Sequence, residues 1–448
     1  MRFVMQTDVD ILAVKRTAAL PPHAECGHEM HTLIARLFPI CRSITGDGVR
    51  TTLRILQEYL PLEVREVPSG TRVFDWIVPD EWNIRDAYVI DPIGNKIIDF
   101  NKSNLHVLGY SEPFRGTVSR EELDRHLYSL PDQPDLIPYV TSYYKRRWGF
   151  CLSHRQRSNL PDGDYEVCVD STLQPGSLTY AELIIRGETD DEILISTYIC
   201  HPSMANNELS GPAVATFLAQ HLLTWPRRRF TYRFVFVPET IGSITYLSKH
   251  LDHLKSHVRA GYVITCAGDP GSFSYLNTRL ENQEVDRVTK HVLRNTVGEF
   301  IEYDFLARGS DERQYCAPGV DLPVGSLMRS KYAAYPEYHT SADNLEFVSP
   351  RALSESFGMY VRCLEALEHN HTYRVTVQCE PQMGRRGLYP TVSTKKSHDE
   401  VRAMSDLIAY CDGSCDLVAI SDKINVPCWT LAPIAEKLRS HGLLEVVG

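Results

Sequence analysis

The sequence predicts an α/β protein whose central sheet is mostly parallel and covered by helices. Two observations carry this. From residue 166 to about 368, apolar strands alternate with helical patterns, and strands separated by helices of that length imply parallel pairing. One of those strands, TYRFVFVP, is apolar almost without a break, as a strand covered on both faces must be. The 448 residues, 43% hydrophobic and 23% charged, suffice for two or three ordinary globular domains.

The elements follow in chain order. Residues 1–25 read as a loosely held extension. Apolar residues then recur at three- and four-residue steps from 29 to 59, which argues helices, with the polar, glycine-bearing PICRSITGDGVR interrupting them. Over 71–131 the chain alternates apolar and polar residues around a DPIGN turn, so a small β-rich insertion is expected there. The stretch SLPDQPDLIPY returns the chain to the main body, which thus takes 26–70 and 132–370. Within it AELIIRG, EILISTYIC, TYRFVFVP and GYVITCAG are strands, and 209–225, 241–257 and 282–295 are helices. Ser349 offers an N-cap and Pro350 a first helical position for one more. Residues 371–448 hold three helical patterns and a terminal LLEVV strand, the order of a winged-helix unit.

Charge and composition exclude several functions. The net charge of −10 exerts no general pull on nucleic acid or an anionic membrane. The winged-helix stretch itself has nine Lys/Arg against nine Asp/Glu. It lacks the basic excess of a DNA reader, so docking or homo-oligomerisation is expected of it instead. No run approaches the roughly 18 apolar residues of a membrane span. The first twenty residues carry Asp8, Asp10, Lys15 and Arg16 where a signal peptide has its apolar core, so a cytosolic protein is expected. Cysteines scattered in apolar runs, such as Cys151, Cys168, Cys266 and Cys363, read as small buried hydrophobes. Cys411 and Cys415 lack the second pair a zinc knuckle needs. The three arginines of WPRRRF read as a solvated turn, and nucleotide-binding glycine patterns are missing.

In such a sheet, ligands bind beyond the carboxyl ends of the strands. His201 follows STYIC, Glu239 follows FVFVP, and Asp269 follows VITCAG. Later loops hold Asp311 and Glu312 (GSDERQYCAPG) and His339 (YPEYHTSADN). Imidazoles with carboxylates are the donors zinc prefers, and a further carboxylate can act as general base. Cys200 directly precedes His201, and strand alternation sends such neighbours to opposite faces, which argues against a Cys–His catalytic pair.

The runs from His201 to Gly211, PETIGS, GSDERQYCAPGVDLPV and EYHTSADN resemble the M28 zinc aminopeptidases. From about Glu29 to its end the chain resembles bacterial proteins with an aminopeptidase-like domain. It shares with them FPICRSITGDGVRTTLRIL, FDWIVPDEWNIRDAY, IPYVTSYYKRRWGFCLSH and a C-terminal winged-helix-like region. The resemblance implies an M28-like zinc-peptidase fold holding one or two zinc ions. Its first zinc histidine matches His201 and its distal one His339; Asp269 matches a third acidic ligand. Glu239 falls on a glutamate pair that here reads Glu239-Thr240, so it serves as base or as ligand. Where the family has a bridging aspartate this chain has Asn206, Asn207 and Glu208, and Glu208 stands in as the anionic ligand.

The implied reaction is cleavage of an amide beside a free amine in a small aminoacyl compound or short peptide. Glu239 would move the proton and Tyr338 would stabilise the oxyanion. Glu208, Asp311 and Glu312 are candidates for the substrate ammonium, Arg42 and Ser43 for a carboxylate. Zinc-dependent acyl transfer or cyclisation, and a catalytically lapsed scaffold that binds a partner, are the alternatives.

Overall fold

A computed structural model describes residues 24–388 and 395–447, so most of the expected N-terminal extension lies outside the described residues. The chain divides into two compact units. One takes His23–Glu281 and Ile301–Phe357; the other takes Asn282–Phe300 with the chain from Gly358 on.

The first unit is built on an eight-stranded sheet. Its four central strands, Thr231–Val237, Glu192–Tyr198, Val258–Val263 and Val324–Met328, run parallel and are wholly buried apart from Arg259. Ser177–Ile185 and Glu63–Pro68 extend one edge antiparallel; Ser274–Leu276 and Ile301–Tyr303 extend the other. From Glu192–Tyr198 the chain crosses to Thr231–Val237 through the helix Ser210–Thr224. It then returns through Ile241–His257 to Val258–Val263 on the opposite side. Consecutive crossovers thus diverge on either side of Glu192–Tyr198, and such a switch point opens a crevice at the strand ends.

The expected break in the first helical stretch is real: helices Ala24–Leu37 and Asp47–Leu56 flank residues 38–46. Gly46 has φ +100°, and a Cβ there would meet the Trp82 carbonyl oxygen at 1.9 Å, so no other residue fits without moving the chain. The insertion forms a four-stranded antiparallel sheet from Lys96–Asp99, Glu81–Ile90, Asp164–Gln174 and Phe114–Ser119. Its DPIGN turn closes through Asp91, whose Oδ1 accepts from the backbone of Ile93 (3.1 Å) and Asn95 (2.8 Å). The sheet also recruits Asp164–Gln174 from beyond the expected segment. That strand alternates less clearly, yet its Tyr165, Val167 and Val169 complete the insertion's apolar face.

In the second unit, Asp412–Asp416, Thr372–Val375 and Leu444–Val446 form an antiparallel sheet with the helices Lys395–Tyr410, Leu417–Ile424 and Cys428–Ser440. The helix Glu284–Thr296, which chain order places in the main body, makes its polar bonds here. His291 Nδ1 lies 2.7 Å from Asp422, and its Nε2 accepts from the Cys428 backbone at 3.0 Å. The expected cap at the next helix holds: Ser349 Oγ accepts from the Ala352 backbone at 3.1 Å, ahead of Pro350–His369. Among the described residues, no helix is long and apolar enough to cross a membrane.

Candidate metal and active site

The crevice gathers side chains from three connections. His201 lies just past Glu192–Tyr198, Glu239 just past Thr231–Val237, and His339 in the loop after the last parallel strand. The two imidazoles, 138 positions apart in sequence, have ring centroids 5.3 Å apart. Glu208 comes from a single π-helical turn, Ala205–Leu209, that leads into the following helix. The Asp343 carboxylate receives both the Asn206 N–H (2.5 Å) and the Asn207 N–H (2.9 Å), fixing that wide turn and the direction of Glu208.

Each nitrogen of His201 faces a carboxylate. Nδ1 lies 2.7 Å from Glu208 Oε2, and Nε2 lies 3.7 Å from Glu239 Oε2. Burial works against a charged ring, but Glu208 and Glu239 overcome it and raise the His201 pKa above its usual value. His339 is the opposite case: burial, with His201 beside it, lowers its pKa to about 2, so it is a neutral donor. Burial also raises Glu239. Glu239 alone among these acids keeps a window to solvent, with 22% of its side chain exposed.

Several of the expected site residues turn out to support this group from behind. Arg42 is 1% exposed and donates to the His201 carbonyl (2.9 Å) and the Leu37 carbonyl (2.8 Å), so it fixes the backbone of His201, while its Nη2 is buried without a hydrogen-bond partner. Ser43 is equally buried, at 2%. Asp311, fully buried, accepts from the Thr240 backbone (2.7 Å) and Ser243 Oγ (2.8 Å), capping Ile241–His257 from outside that helix. Burial, then Glu239, pushes its pKa up to about 8. Glu312 accepts from the backbones of Gly309 and Ser310 (both 2.9 Å) and from the Tyr332 hydroxyl (2.6 Å). Asp311 spends only Oδ1 on its hydrogen bonds and its Oδ2 is buried without a partner, whereas Glu312 is enclosed. Asp269 is likewise committed: Gly271, Ser330 and the Asn206 amide occupy both its oxygens, which corrects the expectation of a ligand.

Other residues here escaped the sequence reading. Ser310 donates to Glu239 Oε1 at 2.7 Å. Tyr139 lies 4.9 Å from the His201 ring and 5.0 Å from that of His339, and its hydroxyl meets Tyr143 at 3.0 Å. Tyr338, which the sequence did single out, stacks on His339 at 3.8 Å. Cys200 corrects the alternation argument: the strand ends at Tyr198, pleating stops, and Sγ lies 3.3 Å from His201 Nδ1. Burial raises this thiol well above its usual pKa, so it is no ready nucleophile. Four non-glycine residues around the crevice, Ser203, Thr240, Cys266 and His339, have positive φ between +44° and +65°. Strain of this kind persists only where surrounding contacts fix it.

The donor set fits a divalent cation. Both Glu208 oxygens, His339 Nε2 and Asn207 Oδ1 are buried without a hydrogen-bond partner. The short Glu208–His201 approach is a contact of opposite partners without hydrogen-bond alignment. Imidazole nitrogens and carboxylates are the donors zinc takes, and orphaned buried atoms of this kind otherwise cost on the order of 1–3 kcal/mol each.

The fold defines a class: an M28-type zinc-aminopeptidase fold with a C-terminal winged helix. The Bacillus subtilis zinc aminopeptidase superposes with a TM-score of 0.56 at 12% identity, over 78% of this chain and 96% of that one. A peptidase M28 precursor from Shewanella amazonensis gives 0.54 at 13%, over 80% and 96%. More particularly, residues 31–370 match the family model described as "Domain of unknown function (DUF4910)", and 371–446 match the winged helix-turn-helix model. The chain belongs to the DUF4910 family. A Clostridium acetobutylicum protein, named for polysaccharide biosynthesis and an aminopeptidase-like domain, is 46% identical over 427 residues, 95% of this chain and 98% of its own. A crystal structure from the same organism, named as a peptidase, superposes with a TM-score of 0.89 at 46% identity, over 95% and 97%.

Proposed function

We propose that this protein is a zinc-dependent amide hydrolase of aminopeptidase type, acting on a small aminoacyl compound or short peptide. The observation that supports it most is the meeting of His201 and His339, 5.3 Å apart by ring centroid, with Glu208 and Glu239 on either side of His201. His201, Glu208 and His339 would hold the cation, with Glu239 beside them. The two carboxylates balance the charge of one divalent ion, and neutral Asn206 and Asn207 stand where a second would need an acid. When bound, zinc polarises the scissile carbonyl and acidifies water.

The chain's own groups do the rest. Glu239 takes a proton from the attacking water and passes it to the leaving amine; its raised pKa brings it nearer the working range of a general base. Ser310 holds one of its oxygens and leaves the other free for that transfer. Tyr338, stacked on His339, would offer its hydroxyl to the developing oxyanion. The substrate ammonium then needs an acceptor other than the enclosed Glu312.

The test is direct. Protein purified without chelator should hold about one equivalent of zinc, and His201→Ala should lose it. Turnover should show on a panel of aminoacyl-p-nitroanilides and N-aminoacyl amino sugars, the latter suggested by the relative's name. Products heavier by one water mark hydrolysis, while loss of ammonia or water marks cyclisation. A metal-free protein inert on every member would refute the proposal.

A further inference from the structure

Resting on that reading, we infer that Cys200 is itself a ligand of the cation, which sits on the Nδ1 side of His201 between Cys200 Sγ and Glu208. Among the described residues, Cys200, His201 and Glu208 form the one group of three such side chains whose ligand atoms all lie within 4.8 Å of one another, and all three are buried. A tetrahedral zinc with bonds of about 2.0–2.3 Å keeps its ligand atoms about 3.3–3.8 Å apart. The 3.3 Å from Sγ to Nδ1 already matches that spacing, and a small shift of Glu208 from 2.7 Å would complete it.

Glu208 needs such a cation. It is 1% exposed, and neither oxygen has a hydrogen-bond donor. Arg42 Nε comes no nearer than 3.9 Å and spends its own bond on the His201 carbonyl. The nearest positive partner of Glu208, His201 Nδ1 at 2.7 Å, lies at ion-pair distance without a hydrogen-bond alignment, and a buried carboxylate so held is costly. The sulfur, in turn, receives the Glu239 backbone N–H at 3.2 Å, the kind of outer hydrogen bond that steadies a metal-bound donor. With Nδ1 on the cation, His201 Nε2 points toward Glu239 Oε2 at 3.7 Å, beyond hydrogen-bond reach, so that oxygen stays free.

Coordination breaks the Sγ–H bond, forms a sulfur–metal bond and releases the proton to solvent. A thiolate donor biases the site toward zinc, cobalt and cadmium over magnesium and manganese. The DUF4910 chain would therefore differ in kind from a site made only of nitrogen and oxygen donors.

The experiment loads the full-length apo chain with cobalt(II) and, separately, with cadmium. Wild type should show a near-ultraviolet sulfur-to-cobalt charge-transfer band. Cys200→Ser should lose that band and hold cadmium more than about tenfold more weakly, at least the loss expected for an outer-shell partner. Circular dichroism and thermal unfolding of apo Cys200→Ser, with Cys200→Ala as a second variant, separate ligand loss from misfolding. Cobalt bound without the band, or cadmium held equally by wild type and a folded variant, overturns the role of Cys200 and leaves the metal-hydrolase reading standing. No metal bound at all overturns both, and makes Arg42, Glu208 and His201 a structural ion triad.

Discussion

The strand Thr231–Val237 has a buried charge cluster near each end, and the two are opposites. Near its start Arg233 donates to both Glu192 oxygens (2.7 and 2.8 Å), to Glu182 (3.1 Å) and to the Tyr246 hydroxyl (3.0 Å), with His253 closing the set on Glu192 at 2.9 Å. Just past its end, Glu239 faces His201 at 3.7 Å, and the Glu208 oxygens and His339 Nε2 nearby lack hydrogen-bond partners. The first cluster is closed on itself and has nothing left to offer a ligand. The second is held rigid from behind by Arg42, Asp311, Glu312 and Asp343 while its front atoms go unmatched. A fold satisfies its buried charges where they serve only structure, and leaves them open where a ligand completes them.

The comparison breaks if the two ends respond alike to mutation. The largest effect should come from Glu239→Gln, which keeps the shape and removes the base: kcat should fall on the order of 10²- to 10⁴-fold while zinc content holds. Steady-state kinetics with metal analysis check this, and unchanged turnover removes Glu239 from the chemistry. Arg233→Ala should act the other way, on stability alone. Leaving Glu192 with His253 (2.9 Å) and Glu182 with the Tyr246 hydroxyl (2.8 Å) but without their guanidinium costs about 3 kcal/mol in urea unfolding, with zinc per folded molecule unchanged. Loss of metal in that variant would show that the closed cluster also serves the site.

A change behind the open cluster should touch both properties. Asp343→Ala removes the acceptor of two backbone N–H groups, costing about 1.5–3 kcal/mol, and should weaken zinc binding about tenfold by freeing Glu208. Competition with a chromogenic chelator measures the second effect, and intact affinity would mean that the π-helical turn holds Glu208 unaided. The smallest effect lies at the surface pair of Arg50 and Glu81. Hydrogen bonding to Arg50 lowers Glu81 to about 2, against the usual carboxylate value of roughly 4.3. A depressed acid adds stability above its unfolded pKa and loses it as pH falls through the folded one. About 1–2 kcal/mol should therefore disappear between pH ~4.3 and ~2, and Arg50→Met should flatten that part of the acid-unfolding curve.

Much of the fold was legible because period and turn chemistry are local. The strands STYIC and FVFVP, the break around Gly46, the Asp91 turn and the Ser349 cap follow from residues within a few positions of one another. The strand Asp164–Gln174 was misplaced because its partners come from elsewhere in the chain, and nothing local specifies them. At the site, the strand-end rule singled out His201 and Glu239. It did not separate the acids that face the crevice from those that hold the backbone behind it: Asp269, Asp311 and Glu312 read the same in sequence as Glu208. Tyr139 gave no signal beyond its shared motif, and Cys200 gave a misleading one.

By itself the sequence determined which residue types stand at the strand ends, and that they include two imidazoles and several carboxylates. Only the tertiary structure decided which of these meet. Hydrogen-bond donors from distant loops, the Thr240 and Asn206 N–H groups among them, claim some carboxylates and leave others bare. That allocation depends on three-dimensional distance, which spacing along the chain does not encode.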